Sequence, residues 1–204
     1  MKGNNFFWIS FADLMTSLFF IVLVLFGITS YQYKVSYRQL EELHKINDAT
    51  KKLPKTYFEY NKKYKRYKLK REIHFKIQSD NIEDNDINYL IKVGKQVENL
   101  IIELNSKPEF KKRKIVYLII IEGMASKIAY KENFELSYKR ALSVYRLWKK
   151  SLSNNSILFI PEICEIQIAG SGEDGNREFS GASDIKNQQI LIHIIPKYDF
   201  VEQK

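Results

Sequence analysis

The sequence predicts an α/β fold, with a single N-terminal transmembrane helix followed by a β-α-β-α-β-β sandwich whose helices cover one side of a mixed sheet. Two observations predict it: an apolar run opens the chain, and strand-like and helix-like patterns alternate from about residue 71 onward. We expect three regions. Residues 1–30 form a tail and the transmembrane helix, residues 31–70 a polar helix and a basic linker, and residues 71–204 the sheet domain.

Length and composition limit the possible functions. The 204 residues leave room for one globular domain and an extra segment, which excludes a large multidomain enzyme. The formal charge of +9 is compatible with a nucleic-acid partner, an anionic membrane surface or a lysine-rich proteome. The single cysteine, Cys164, excludes an intramolecular disulfide, and three scattered histidines add no recognisable metal motif, so we expect no metal site.

The apolar run extends from Phe6 to Ile28, about the length that crosses a hydrocarbon core of roughly 30 Å as a helix. A cleaved signal peptide is the competing interpretation. It fits poorly, because the basic region in front is one lysine, no small-x-small cleavage site follows, and Asp13 interrupts the run. We predict an uncleaved anchor with Trp8 at one membrane interface and Tyr31 to Tyr33 at the other. Basic residues flank both ends and leave the orientation open.

Asp13 is the only ionisable residue in this run. A carboxylate inside a membrane span costs at least about 2.5 kcal/mol on insertion scales, so it indicates a function. Thr16 and Ser17 follow at i+3 and i+4, on the same helix face, and such a stripe suits a cation or proton held between helices. The alternative is a static role, in which Asp13 stays hydrated near the interface or joins two helices. A lone helix cannot form a pore, so a conducting role requires helices from other chains.

The middle of the chain is polar. Residues 31–47 look helical and continue the span, and Pro54 ends any continuous helix. Residues 51–71 interleave lysines and arginines with tyrosines, a pattern that can bind single-stranded nucleic acid through phosphate contacts and stacking. We favour a solvated linker that touches lipid head groups, because the block closely follows the span and no RNA-binding motif accompanies it.

The remaining residues carry the elements of the sandwich. Residues 72–77 alternate polar and apolar side chains, as in a half-buried strand. Residues 114–121 are almost continuously apolar, which predicts a fully buried strand. Two amphipathic helices and two further strands complete the domain, at residues 84–103 and 133–151 and at residues 162–169 and 188–195.

Two segments carry a resemblance to known families. The run WISFADLMTSLFFIVLVLF, residues 8–26, resembles the span of MotB-type stator proteins. The segment IEGMASKIAYKENFELSYKRALSV, residues 121–144, resembles the signature of OmpA-like peptidoglycan-binding domains, and residues 169–173 and 187–190 resemble the Gly-x-Gly-Glu loop and final strand of those domains. With its short linker, the chain is most similar to the ZorB family, the MotB-like subunits of Zorya anti-phage defence. Flagellar MotB is the alternative.

The resemblance implies a peptidoglycan site. Arg140 matches the arginine that binds the diaminopimelate carboxylate of the wall peptide, where a guanidinium forms a bidentate pair that lysine cannot. Asn133 matches the asparagine beside it. Ser126 stands where the family has an aspartate, and Gln188 and Gln189 stand in place of two arginines. Recognition of diaminopimelate is therefore weaker or altered here.

The resemblance also implies an ion-driven stator rather than an enzyme. Asp13, with Thr16 and Ser17, would bind the translocated H⁺ or Na⁺, and no other cofactor is expected. The implied partners are peptidoglycan and a MotA- or ZorA-like multi-span subunit, five copies around a homodimer of this chain, without nucleic acid. The protein would lie in the bacterial inner membrane with its N-terminus cytoplasmic and its C-terminal domain periplasmic. A flagellar stator, or a peptidoglycan tether without ion transport, are the alternatives.

Overall fold

The computed structural model contains two compact units, residues 1–45 and 46–204. Predictions that concern residues 1–3, Ile77 and residues 198–204 lie outside the described part of the chain. The residues described are 4–50, 52–64, 66–76, 78–111, 114–127, 132–152, 155–175 and 177–197.

The first unit is formed by helix α1, Asn4–Thr50, up to Lys45. Within the described residues, one stretch, Phe7–Arg38, is long and apolar enough to cross a membrane. No residue in its most apolar part is buried against the rest of the chain. The predicted polar helix continues from this stretch without a break, and α1 ends four residues before Pro54. The last turn of α1 belongs to the second unit, where Ile46 is only 1% exposed.

The second unit is built on a five-stranded mixed sheet with the strand order β1-β2-β5-β3-β4. Strand β5 is central and pairs antiparallel with β2 and β3. Strand β3 also pairs in parallel with the edge strand β4, and β2 pairs antiparallel with the other edge strand, β1. The strands are β1 Phe58–Asn61, β2 Arg66–Leu69, β3 Val116–Gly123, β4 Cys164–Gly170 and β5 Ile190–Lys197.

The long helices α2 and α4 pack on each other, and α4 packs on β3 and β4. Trp148 of α4 is fully buried, and its Nε1 donates a hydrogen bond to the Leu90 carbonyl of α2 at 2.8 Å. Gly94 makes room for this indole, since a Cβ there would lie 2.9 Å from Nε1. The helices are α2 Asp84–Ser106, α3 Pro108–Lys111 and α4 Asn133–Ser151, with short 3₁₀ turns at Ile157–Phe159 and Gly181–Asn187.

The N-terminal strands differ from the prediction. Of the predicted strand, the described residues 72–76 form no ladder and contribute one isolated bridge, Phe75 to Ile82. Residues 58–61 and 66–69, interpreted as linker, instead form the paired strands β1 and β2. The physical reason is that the interleaved apolar residues of this block pack inward: Phe58 and Leu69 are 2% and 8% exposed and belong to the core.

The other elements confirm the α/β class, and α2, α4, β3, β4 and β5 lie within three residues of their predicted bounds. Strand β3 is buried on one face only. Tyr117, Ile119 and Ile121 are fully buried on the side of the helices, whereas Leu118 and Ile120 on the opposite face are partly exposed. The prediction of a fully buried strand from this apolar run is therefore wrong for one of its two faces.

Candidate functional site

Asp13 lies on the exposed surface of α1, with Thr16 and Ser17 one turn further along the same face. The Thr16 hydroxyl donates to the Ala12 carbonyl at 2.7 Å. This bond uses the hydroxyl proton and leaves oxygen lone pairs free to accept a proton donor or to ligate a cation. The arrangement therefore offers an acid and a polarised hydroxyl, and the remaining ligands would come from another chain.

The three residues predicted to bind peptidoglycan come together in the second unit. The Arg140 Nη1 donates to Gln188 Oε1 at 3.4 Å, and the Gln188 Nε2 donates to the Ser126 hydroxyl at 2.8 Å. The Asn133 Nδ2 in turn lies 3.2 Å from the Ser126 carbonyl and 3.3 Å from Glu173 Oε2. One hydrogen-bonded network therefore links Arg140 to Glu173.

Two glycines bring this network together. A Cβ at Gly123 would lie 2.0 Å from the Ser137 carbonyl oxygen, and one at Gly170 would lie 2.6 Å from the Tyr138 amide nitrogen. The first two turns of α4 thus rest directly on the ends of β3 and β4. The Ser137 hydroxyl also accepts a hydrogen bond from the Gly172 amide at 3.0 Å. These contacts fix the helix that carries Asn133 and Arg140 against the loops that follow both strands.

The Arg140 side chain is 4% exposed, and the groups that accept its hydrogen bonds are neutral. Its Nε donates to the Ser79 carbonyl at 3.1 Å, and the guanidinium carbon lies 4.9 Å from the centroid of the Phe75 ring. None of the described carboxylates forms an ion pair with it. Burial lowers the pKa of Arg140, although the nearby Asp80 carboxylate opposes this effect. A carboxylate ligand could therefore form the direct ion pair that Asp80 does not.

Phe75, Ser79 and Asp80 were missed by the sequence analysis. They lie in the turn closed by the Phe75–Ile82 bridge, which places them beside Arg140. The alternating pattern of residues 72–77 indicated a strand, and nothing in it indicated that a turn there contacts α4. Gln78, with a φ of 53°, gives this turn its left-handed backbone.

The loop between β4 and β5 is held by Arg177, which the sequence analysis also missed. Its Nη1 donates to the carbonyls of Ala125 at 3.2 Å and Glu173 at 2.6 Å. Its Nε donates to Asp184 Oδ1 at 3.0 Å, and this hydrogen bond is the main cause that lowers the pKa of Asp184. The loop that carries Glu173 is therefore tied to the segment that carries Ser126.

Two buried titratable groups lie outside the network. Burial tends to raise the pKa of Glu122, but hydrogen bonds from His193, 2.7 Å away, and from Ser171 outweigh it, and the pKa is lowered. Cys164 is 3% exposed, and burial raises the pKa of its thiol to about 12. Both groups belong to the sheet.

Several side chains of the basic and aromatic block at residues 51–71 already have partners within the fold. The Tyr60 and Tyr67 rings pack against each other with centroids 4.9 Å apart. Arg66 is 6% exposed, and Lys68 pairs with Glu178 at 3.0 Å. These rings and cations, part of those that the nucleic-acid alternative requires, are thus used within the fold.

Comparison with known proteins yields structural likenesses only. No family model matches the chain, and no curated protein matches it. A periplasmic domain of MotB (residues 64–256) matches at 16% identity and a TM-score of 0.39, over 62% of this chain and 59% of that one. The periplasmic domain of Helicobacter pylori MotB (residues 97–256) matches at 18% identity and a TM-score of 0.41, over 60% of this chain and 74% of that one. The peptidoglycan-associated lipoprotein of Burkholderia pseudomallei matches at 17% identity and a TM-score of 0.38, over 62% of this chain and 91% of that one. At these values the likenesses do not establish the family.

Proposed function

We propose that this chain is the ion-conducting, wall-anchored subunit of a membrane stator, which pairs with a MotA-like multi-span protein and acts in anti-phage defence of the Zorya kind. The observation that carries the proposal is Asp13, an acid on a membrane-length helix with no partner in its own unit among the described residues. The alternatives are a flagellar stator, which the neighbouring genes would distinguish, and a tether without ion transport, which a measurement of ion flux would distinguish.

In the proposed mechanism, two copies of α1 lie inside a ring of partner subunits, with the N-terminus cytoplasmic and the sheet domain periplasmic. A proton or sodium ion that arrives from the periplasm neutralises Asp13, and its release to the cytoplasm restores the charge. Because an ionised carboxylate is costly in an apolar environment, the two states of Asp13 favour different contacts with the ring. Alternation between these contacts turns the ring by steps.

The sheet domain holds the dimer to peptidoglycan, so that the torque acts against a fixed point. Arg140 is suited to this role because its buried guanidinium forms no ion pair with a described residue, Asp80 acting on it only from a distance, and a wall-peptide carboxylate would pair with it directly. Gln188 and Ser126 position the guanidinium through neutral hydrogen bonds. Glu173, which contacts Asn133, is the acid available to an ammonium group at the end of this network.

The ion step is tested by reconstitution of the chain and its multi-span partner in liposomes. Asp13→Asn keeps the size of the side chain and removes its charge, and we expect ion flux to fall to the level of empty liposomes. Asp13→Glu is the matched control and retains measurable flux because the acid is kept. Equal flux for the wild type and Asp13→Asn, with the complex intact on gel filtration, would favour the tether.

The wall contact is tested by co-sedimentation of the full-length chain with isolated peptidoglycan sacculi. Arg140→Gln removes the charge, and we expect roughly 10- to 100-fold weaker binding, the size of a lost charged hydrogen-bond pair. Arg140→Lys should recover little, because lysine cannot form the bidentate pair. Arg146→Gln, on the exposed side of the same helix, is the control for net charge. Unchanged binding by Arg140→Gln would disprove the assignment of this site.

A further inference from the structure

A cavity of about 500 Å³ is lined by Lys127, which follows Ser126 of the Arg140 network. Three segments line it: the β1–β2 turn, the residue that follows Ser126, and the loop before β5. The lining side chains are Lys63, Tyr64, Lys127, Arg177, Glu178, Phe179, Ser180 and Asp184, together with Gly181.

The walls of this cavity are tied to one another. The Tyr64 hydroxyl donates to the Arg177 carbonyl at 2.6 Å and joins the hairpin turn to the loop. The Lys127 amide donates to Asp184 Oδ2, which joins the segment after Ser126 to the same loop. Asn187 Oδ1 accepts hydrogen bonds from the amide of Phe179 at 3.1 Å and from the amide preceding it. The cavity is therefore preformed.

The acids at the rim are already neutralised. Asp184 pairs with Arg177, and hydrogen bonds keep the pKa of this carboxyl low. Glu178 pairs with Lys68 at 3.0 Å and with Arg66 at 3.6 Å. Neither carboxylate is free to neutralise a further cation, so any other positive charge at the rim attracts an anion.

Three lysines supply that charge. Lys63, Lys127 and Lys186 form no ion pair with any residue that the structure describes. The Lys63 Nζ lies 5.1 Å from the centroid of the Tyr64 ring, and the Lys186 Nζ lies 5.8 Å from that of Phe179. Both rings line the cavity, and Lys127 lines it directly. Single exposed ammonium groups attract anions weakly, but Lys63 and Lys127, which line the cavity, add their potentials, and Lys186 contributes from its position beside the Phe179 ring.

We propose that this cavity is a second anion subsite, which takes another carboxylate of the same wall peptide whose first carboxylate pairs with Arg140. The inference rests on the proposed function. Two of the lysines are close in sequence to residues of the Arg140 network. Lys127 follows Ser126, and Lys186 lies two residues before Gln188. Gln188 and Gln189 stand where the resembling domains have two arginines, and the rim lysines restore positive charge nearby.

The test is co-sedimentation of the full-length chain with sacculi at low and high salt. A triple variant neutralises the rim, and a second triple variant removes the same net charge from exposed lysines of α2 and α4. The two variants are Lys63→Gln/Lys127→Gln/Lys186→Gln and Lys92→Gln/Lys95→Gln/Lys150→Gln. We expect the rim variant to bind roughly five- to tenfold more weakly than the control variant at low salt. The difference should shrink at high salt, since exposed charges are screened.

The outcomes separate this subsite from the proposed function. If the two triple variants bind alike while Arg140→Gln still binds more weakly than the wild type, the subsite is refuted and the wall contact stands. If Arg140→Gln binds like the wild type, the wall contact itself fails. Sacculi whose carboxyl groups have been converted to amides complete the test. The rim and control variants should bind these sacculi equally, and a persisting difference would assign the cavity to phosphate groups and overturn the proposal.

Discussion

Replacement of Gly123 by alanine tests how α4 is seated on the sheet. The added Cβ would lie 2.0 Å from the Ser137 carbonyl oxygen, whereas real Cβ atoms essentially never approach closer than 3.0 Å. The helix or the strand must therefore move by about 1 Å. The obstructing atom belongs to the helix backbone, so no side-chain rotation relieves the clash.

The cost follows from this displacement. Overpacking a well-filled interior costs typically about 1–3 kcal/mol, and a backbone clash lies at the upper end. We expect Gly123→Ala to lower the free energy of unfolding by about 3 kcal/mol, which corresponds to a fall in Tm of roughly 6–12 °C for a domain of this size. Because Arg140 lies on the displaced helix, sacculus binding should weaken as well.

The assay is thermal unfolding of the full-length chain in detergent, followed by tryptophan fluorescence. The chain has two tryptophans, so a Trp8→Phe background leaves Trp148 as the reporter of the sheet domain. Gly175→Ala is the graded control, because the added Cβ would lie 2.9 Å from the Ser171 Cβ, which requires a shift of only about 0.1 Å, and 3.1 Å from the terminal Met124 methyl, which can rotate away. A Tm for Gly123→Ala within 2 °C of that control would refute the packing argument.

Three further measurements test the sheet domain. Because the pKa of Glu122 is lowered in the folded state, its contribution to stability is present above its ordinary pKa and is lost as the pH falls through the folded value. Glu122→Gln should therefore flatten the fall in stability below about pH 4.5, and an unchanged acid-unfolding curve would contradict this. Cys164, with its pKa near 12 and 3% exposure, should resist alkylation until the domain unfolds, as mass spectrometry would show, and rapid labelling of folded protein would be the contrary result. Trp148→Phe removes the indole donor from the Leu90 carbonyl, which keeps only its hydrogen bond within α2, and leaves unfilled space beside Gly94; it should cost about 1–3 kcal/mol in chemical denaturation, and an unchanged free energy of unfolding would contradict this.

Sequence patterns predicted the helices and the last three strands because their periodicity is sustained over many residues. Helix α4 begins and ends where its amphipathic pattern predicts, and β3 follows its apolar run within two residues. The β1–β2 hairpin was missed because the charge of residues 51–71 obscured the few apolar side chains, such as Phe58, that pack inward. Its four-residue strands are too short to establish a clear alternation.

The candidate site was partly predictable for a similar reason. Ser126, Asn133 and Arg140 lie within one motif, and the structure brings them into one network. Ser79 comes from a distant turn, and its contribution is a backbone carbonyl, which any residue type could provide. Arg177 contacts other carbonyls in the same way. Such contacts depend on the path of the chain and leave no signature in residue type.

If Arg140 binds the wall as proposed, anchoring and folding are thermodynamically linked. Burial of the guanidinium, which Asp80 offsets only in part, destabilises the empty domain, and a ligand that binds only the folded form stabilises it by RT ln(1 + [L]/Kd), about 2.7 kcal/mol at a hundredfold excess over Kd. By the same linkage, a domain that has lost hold of the wall would unfold more readily than one that remains attached. Mechanical load and proteolytic turnover would then act selectively on subunits that have detached.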